Sequence, residues 1–92
     1  MVMTIQNAKD LQVRLSTDFK AKRKWLKHSR DKASEVTGVP AATIRHFENT
    51  GEISLRQFLM LAEIYGDLSN YESNFTKPKA RTMAELIKMS KD

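Results

Sequence analysis

Cysteine is absent from the 92 residues, which removes disulfides and thiolate metal sites and suits a reducing, intracellular setting. Histidine is scarce: His28 and His46 are the only two, they are not at metal-ligand spacing, and no carboxylate cluster surrounds them, so neither a metal nor a cofactor is expected. No stretch approaches the roughly eighteen apolar residues that a membrane-crossing helix needs. The opening "MVMTIQNAKD" lacks the basic start and apolar run of an export signal. The expected location is therefore cytoplasmic, with no membrane partner. Regular alternation of apolar and polar residues is missing as well, so no strand is expected, and there is no internal repeat. No glycine-rich phosphate loop is present. His28, Ser29 and Asp31 are neighbours in the chain, but adjacent side chains diverge and form no catalytic relay. The chain is not expected to be an enzyme.

What remains is a small, basic, helix-forming sequence. Hydrophobic residues make up 40%, enough for one folded domain, although a chain of this size buries only roughly 60–65% of its unfolded surface. Sixteen Lys and Arg against eleven Asp and Glu leave a formal charge of +5. Such a surplus favours polyanions as partners.

Five helices can be read. Asn7 is an N-cap with Asp10 three positions on, and Leu11, Leu15, Phe19 and Leu26 form the apolar stripe of a long first helix. Its last turns carry Lys20, Lys22, Arg23, Lys24 and Lys27, which suits the negative end of the helix dipole and is compatible with phosphate contact. Ser29 caps a second helix over residues 30–37 with Ala33 and Val36 inward, and Gly38 is placed to end it in a left-handed conformation. Pro40 opens a third helix over residues 41–48, with Ile44 and Phe47 inward. "NTGE" reads as a turn. Ser54 then caps a fourth helix in which Leu55, Phe58, Leu59, Ala62 and Tyr65 repeat at helical spacing. Gly66 ends it, and Leu68, Tyr71 and Phe75 suggest a short fifth helix covering the core. The domain runs over residues 1–75. Residues 76–92 comprise a basic, proline-containing linker and a short tail, "TMAELIKMSKD", with helical character.

The break at "TGVP" needs a reason, because one continuous helix would pay the nucleation cost once and interrupt fewer backbone hydrogen bonds. Two short helices joined by a tight glycine turn meet a requirement of duplex reading: a two-turn helix fits the major groove when a second helix crosses behind it. Ser34 and Gly38 permit close approach, and Val39 and Ile44 set the angle from inside.

Residues 30–49, "RDKASEVTGVPAATIRHFEN", followed by "TGEISLRQFLMLAEIYG", resemble the helix-turn-helix domain of the phage repressor and Cro family, also called the Xre family. The likeness covers residues 10–75, and "IRHFENTGEISL" is similar to regulators of HipB type, which act as antitoxins beside a kinase-like toxin. The resemblance implies an all-α, five-helix, lambda-repressor-like fold. It implies a sequence-specific regulator of double-stranded DNA, bacterial or phage-encoded, that represses from an operator and is nucleoid-associated when bound. By position it implies base contacts from Ala41, Ala42, Arg45 and His46. Arg45 can donate two bonds to guanine, worth about 1–3 kcal/mol of discrimination. A phosphate contact is implied for Arg30, where glutamine is more usual; Lys32, Thr43, Asn49 and Thr50 are secondary candidates for backbone phosphates, with plain solvation the alternative for each. The two alanines offer only apolar contact, so DNA shape carries part of the specificity, and Pro40 replaces the usual hydroxyl cap.

Proteins of this architecture commonly bind two-fold sites as dimers. Leu61 and Ile64, off the main stripe of the fourth helix, together with Leu68, Tyr71 and Phe75, are the expected dimer or partner surface, extended by Met83, Leu86 and Ile87 of the tail. Four fates are open to that tail: fraying, packing on its own domain, swapping across the dimer, or folding on a toxin. The alternative reading is an antitoxin that neutralises its toxin by direct contact, without a DNA role. A membrane-surface role for the first helix is disfavoured by its narrow apolar face.

Overall fold

The structure, a computed structural model, describes residues 4–75. The expected linker and tail, including Met83, Leu86 and Ile87, lie outside the described residues. Five helices follow one another: α1 (Ala8–Trp25), α2 (Arg30–Thr37), α3 (Ala41–Thr50), α4 (Leu55–Tyr65) and α5 (Ser69–Glu72). Among the described residues there is no strand, and no helix is long and apolar enough to cross a membrane.

The helix boundaries follow from local chemistry. Asn7 accepts from the Asp10 N–H at 2.9 Å and starts α1. Ser29 accepts from Lys32 N–H and Ser54 from Gln57 N–H, starting α2 and α4. Pro40 precedes α3 with no side-chain cap bond. Two glycines end helices in left-handed conformations: Gly38 with φ 83° after α2, and Gly51 with φ 81° after α3. α3 runs two residues past the expected residues 41–48, because the Thr50 hydroxyl bonds back to the His46 carbonyl and the Gly51 N–H to that of Phe47. Asn49 and Thr50 are therefore helical, and the turn begins at Gly51.

α1 packs against α3 and α4, and α2 packs against the same two helices. The core between them is Phe19, Ala33, Val39, Ile44, Phe47, Leu61 and Tyr65. Val39, a turn residue, is fully buried, so the chain between α2 and α3 is anchored rather than looped out. Phe19 stacks edge-on against Tyr65 with centroids 5.2 Å apart and lies 5.9 Å from Phe47.

Several expectations need correcting. Leu61, expected at a partner surface, is 1% exposed. Because α4 packs on both α1 and α2, its inward face is broad enough to take in Phe58, Leu61, Ala62 and Tyr65. Leu55, expected inward, is 73% exposed at the first turn. Val36, expected inward, is exposed, and the fully buried residue of α2 is Ala33. Leu11 and Leu26 of α1 are exposed, and the inward line of that helix is completed by Ser16 and Arg23. α5 is a single turn. Only its Tyr71 returns to the core, edge-on to Phe58 at 5.6 Å, while Leu68 is exposed and Phe75 is 99% exposed.

The two left-handed glycines differ in what a side chain would meet. A Cβ at Gly51 would lie 3.1 Å from the Gln12 backbone carbon, whereas at Gly38 it would meet only the flexible Met60 Cε at 3.2 Å. Gly38→Ala should cost about 1 kcal/mol from backbone conformation alone. Gly51→Ala should cost clearly more, because α1 must move. Urea unfolding of the two variants checks this, and an equal or reversed order would contradict the packing described.

Candidate functional site

α3 has two faces with different chemistry. Ile44, Phe47 and Glu48 point inward, whereas Ala42, Arg45, His46 and Asn49, spaced three, four and seven residues apart, are exposed along one side. The sequence thus makes α3 amphipathic with a narrow polar stripe at the surface. Of the residues expected to contact bases, Ala42, Arg45 and His46 lie on that stripe and Ala41 beside it is half-buried. His46 Nε2 is 3.2 Å from a Glu52 carboxylate oxygen, both side chains being well exposed. Arg45 forms no ion pair with a described residue.

The inward face holds an element that the sequence reading missed. Glu48 has no exposed side-chain surface. Its two carboxylate oxygens accept from Arg23 Nε at 2.7 Å and Arg23 Nη2 at 3.0 Å. Arg23 Nη1 donates to the His28 carbonyl at 2.8 Å, and Arg30 Nε donates to Glu48 at 3.1 Å. One carboxylate on α3 is therefore held by α1 and by the first turn of α2. The Glu48 bonds raise the Arg23 pKa against the opposing effect of burial. For Glu48 burial pushes the carboxyl up, but the bonds and charges of Arg23 and Arg30 outweigh it, leaving it below its ordinary value. A signal was available: Glu48 falls on the same helical line as Ile44 and Phe47, and a carboxylate on an apolar stripe requires a buried cation. Nearby, His28 Nδ1 is 2.7 Å from the Tyr65 hydroxyl, whose pKa is raised by burial.

The residues expected at phosphates are dispersed around this frame. Arg30 is half-buried and uses Nε and Nη2 on Glu48. Lys32 is exposed, 3.9 Å from Glu35, and Asn49 is exposed. Thr43 is half-buried. Thr50 has structural duties: its hydroxyl bonds the His46 carbonyl and accepts from Glu52 N–H, and its carbonyl accepts from Lys9 Nζ at 2.6 Å. Of the expected partner surface, Ile64 and Leu68 are exposed on the outer side of α4 and just after it. A shallow groove there is lined by Leu55, Arg56, Leu59, Met60, Glu63 and Leu68. Of this lining the sequence places only Leu68 at a partner surface; Leu55 and Leu59 are expected on the inward stripe of α4 instead. Arg56, exposed in the first turn of α4, stands where a cation opposes the helix dipole.

Among the described residues, no group of three or more His, Cys, Asp or Glu is arranged to hold a metal ion. His28, Ser29 and Asp31 go separate ways: His28 to Tyr65, Ser29 to the α2 cap, Asp31 to solvent. In comparisons with known proteins, no family model, curated protein or solved structure matches the chain.

Replacing Glu48 with glutamine leaves Arg23 buried beside a neutral partner and should destabilise the fold by about 3–5 kcal/mol. Because the Glu48 carboxyl is lowered on folding, its contribution is present above the ordinary carboxylate value of about pH 4.3 and is lost as pH falls through the lower folded value. Urea midpoints measured from neutral to acid pH should show that loss in the native chain and a shallower acid dependence in Glu48→Gln. Unchanged stability and an unchanged acid slope would contradict the network.

Proposed function

We propose that the chain is a sequence-specific, double-stranded-DNA-binding regulator that represses by occupying an operator as a two-fold dimer, with α2, the Gly38-Val39-Pro40 turn and α3 acting as a helix-turn-helix. The observation that carries this reading is the exposed stripe Ala42, Arg45, His46 and Asn49 on a short helix whose opposite face is fixed by Ile44, Phe47 and Glu48. A two-turn helix backed in this way, on a chain of charge +5, suits entry into a major groove. In this reading Arg45 forks onto guanine O6 and N7, and Ala42 packs on a thymine methyl. The His46 imidazole exchanges Glu52 for a base edge. Arg30 retains Nη1 for a phosphate oxygen while its other nitrogens hold Glu48. Lys32 and Asn49 supply further backbone contacts.

A partner role in a toxin–antitoxin pair belongs to the same reading and is supported by the wording "IRHFENTGEISL". The exposed apolar positions Leu55, Ile64 and Leu68 on and beside α4 favour a protein partner, and we assign them to a second copy of the chain. Action through protein contact alone predicts no duplex binding even at low salt.

Duplexes selected from a random pool should lose roughly 1–3 kcal/mol of discrimination at one base pair per half-site in Arg45→Ala. Their affinity should fall steeply with salt in the native chain. Salt-insensitive binding, or identical selected sequences from Arg45→Ala, would contradict the assignment. Ile64→Glu and Leu55→Glu should shift sedimentation toward monomer with little change in thermal midpoint. A dimer unaffected by both would place the interface elsewhere.

A further inference from the structure

The basic end of α1 is one cluster in sequence but divides on folding. Arg23 turns inward to Glu48. Lys22 lies on the α4 side, where it lines a groove with Asp18, Phe58 and Tyr71, and its Nζ is 5.8 Å from the Trp25 ring centroid. Lys20, Lys24 and Lys27 are left. Helical spacing puts Lys20 about three turns beyond Lys9 on the same side of α1, with Lys24 one turn further. Lys9 is the residue whose Nζ bonds the Thr50 carbonyl at the end of α3, so this is the side of α1 that meets α3. None of the three lysines forms an ion pair with a described residue.

Lys27 adds a second, independent observation. Its φ of 61° makes it the one non-glycine residue with positive φ among those described. Folding alone would favour glycine there. The turn is nevertheless fixed: Lys27 N–H bonds the Lys24 carbonyl, His28 N–H the Arg23 carbonyl, and Arg23 Nη1 the His28 carbonyl. The guanidinium that orients α3 also pins the turn carrying Lys27, beside the first turn of α2. A lysine held in a conformation costly for it is explained by what its ammonium group does.

We propose that Lys20, Lys24 and Lys27 form a phosphate-binding row that grips the DNA backbone flanking the groove entered by α3. The inference rests on the DNA-binding reading above. Lys24 and Lys27 are exposed and Lys20 is half-buried; each ammonium group is a point charge with no ion-pair partner among the described residues, suited to phosphodiester oxygens and carrying no sequence information.

The test is a salt series with the full chain and a selected duplex. Lys24→Ala combined with Lys27→Gly should weaken binding equally for all sequences and flatten the salt slope by about two units. Lys22→Ala, on the other side of α1, should change the slope far less. Lys27→Gly alone should raise the thermal midpoint while lowering affinity, opposite signs that a folding defect cannot produce. Trimming the flanking base pairs should reduce native affinity at least to that of the double variant and weaken the variant, which keeps Lys20, much less. A double variant with the native slope, in a chain where Arg45→Ala still loses discrimination, would overturn the row and leave the DNA reading intact. A native chain that binds no duplex at low salt would overturn both, and retention of poly-glutamate by the native chain alone would then assign the lysines to an acidic protein partner.

Discussion

The position of α3 depends on one buried carboxylate. Glu48 is fully enclosed, and a carboxylate in that setting must be paired or neutralised. Arg23 meets it with a two-bond fork from α1, and Arg30 adds a third donor from α2. Buried ion pairs of this kind commonly add little net stability relative to a well-packed apolar replacement, because desolvation offsets their attraction. Their geometry is demanding all the same. The fork fixes distance and rotation together, so α3 cannot roll about its axis without breaking bonds to two other helices.

That constraint divides the labour on α3. Ile44 and Phe47 supply burial, Glu48 supplies orientation, and the opposite side, with Ala42, Arg45, His46 and Asn49, is exposed. The same arginine reaches the His28 carbonyl, so the turn between α1 and α2 is held in register with α3. Val39, buried in the short connection between α2 and α3, anchors that connection to the core.

Much of this order was legible in sequence. Asn7, Ser29, Ser54, Gly38 and Gly66 mark boundaries because capping is local chemistry, and Ile44 with Phe47 reveals the inner face of α3 because the period of an α-helix is fixed. The orientation of α4 was not legible. Apolar residues surround it, so Leu61 and Leu55 compete for the inward position, and the outcome depends on the two helices it packs against. Nor was the role of Arg23, which in sequence is one of several cations at the end of α1. Only the folded chain brings it to Glu48. Leu68, Tyr71 and Phe75 are expected both to cover the core and to form a partner surface, and the structure divides them: the one-turn helix reaches back only through Tyr71, while Leu68 and Phe75 stay exposed. For the outer stripe of α3, sequence gives the residues and the structure gives their exposure.

In the proposed function the outward side of α3 meets duplex DNA. Backbone amide shifts recorded during titration with a selected duplex test it residue by residue. The largest changes are expected at Ala42, Arg45, His46 and Asn49, with the α5 residues Ser69 and Glu72 little affected. Changes confined to α4 and α5, with α3 silent, would contradict it.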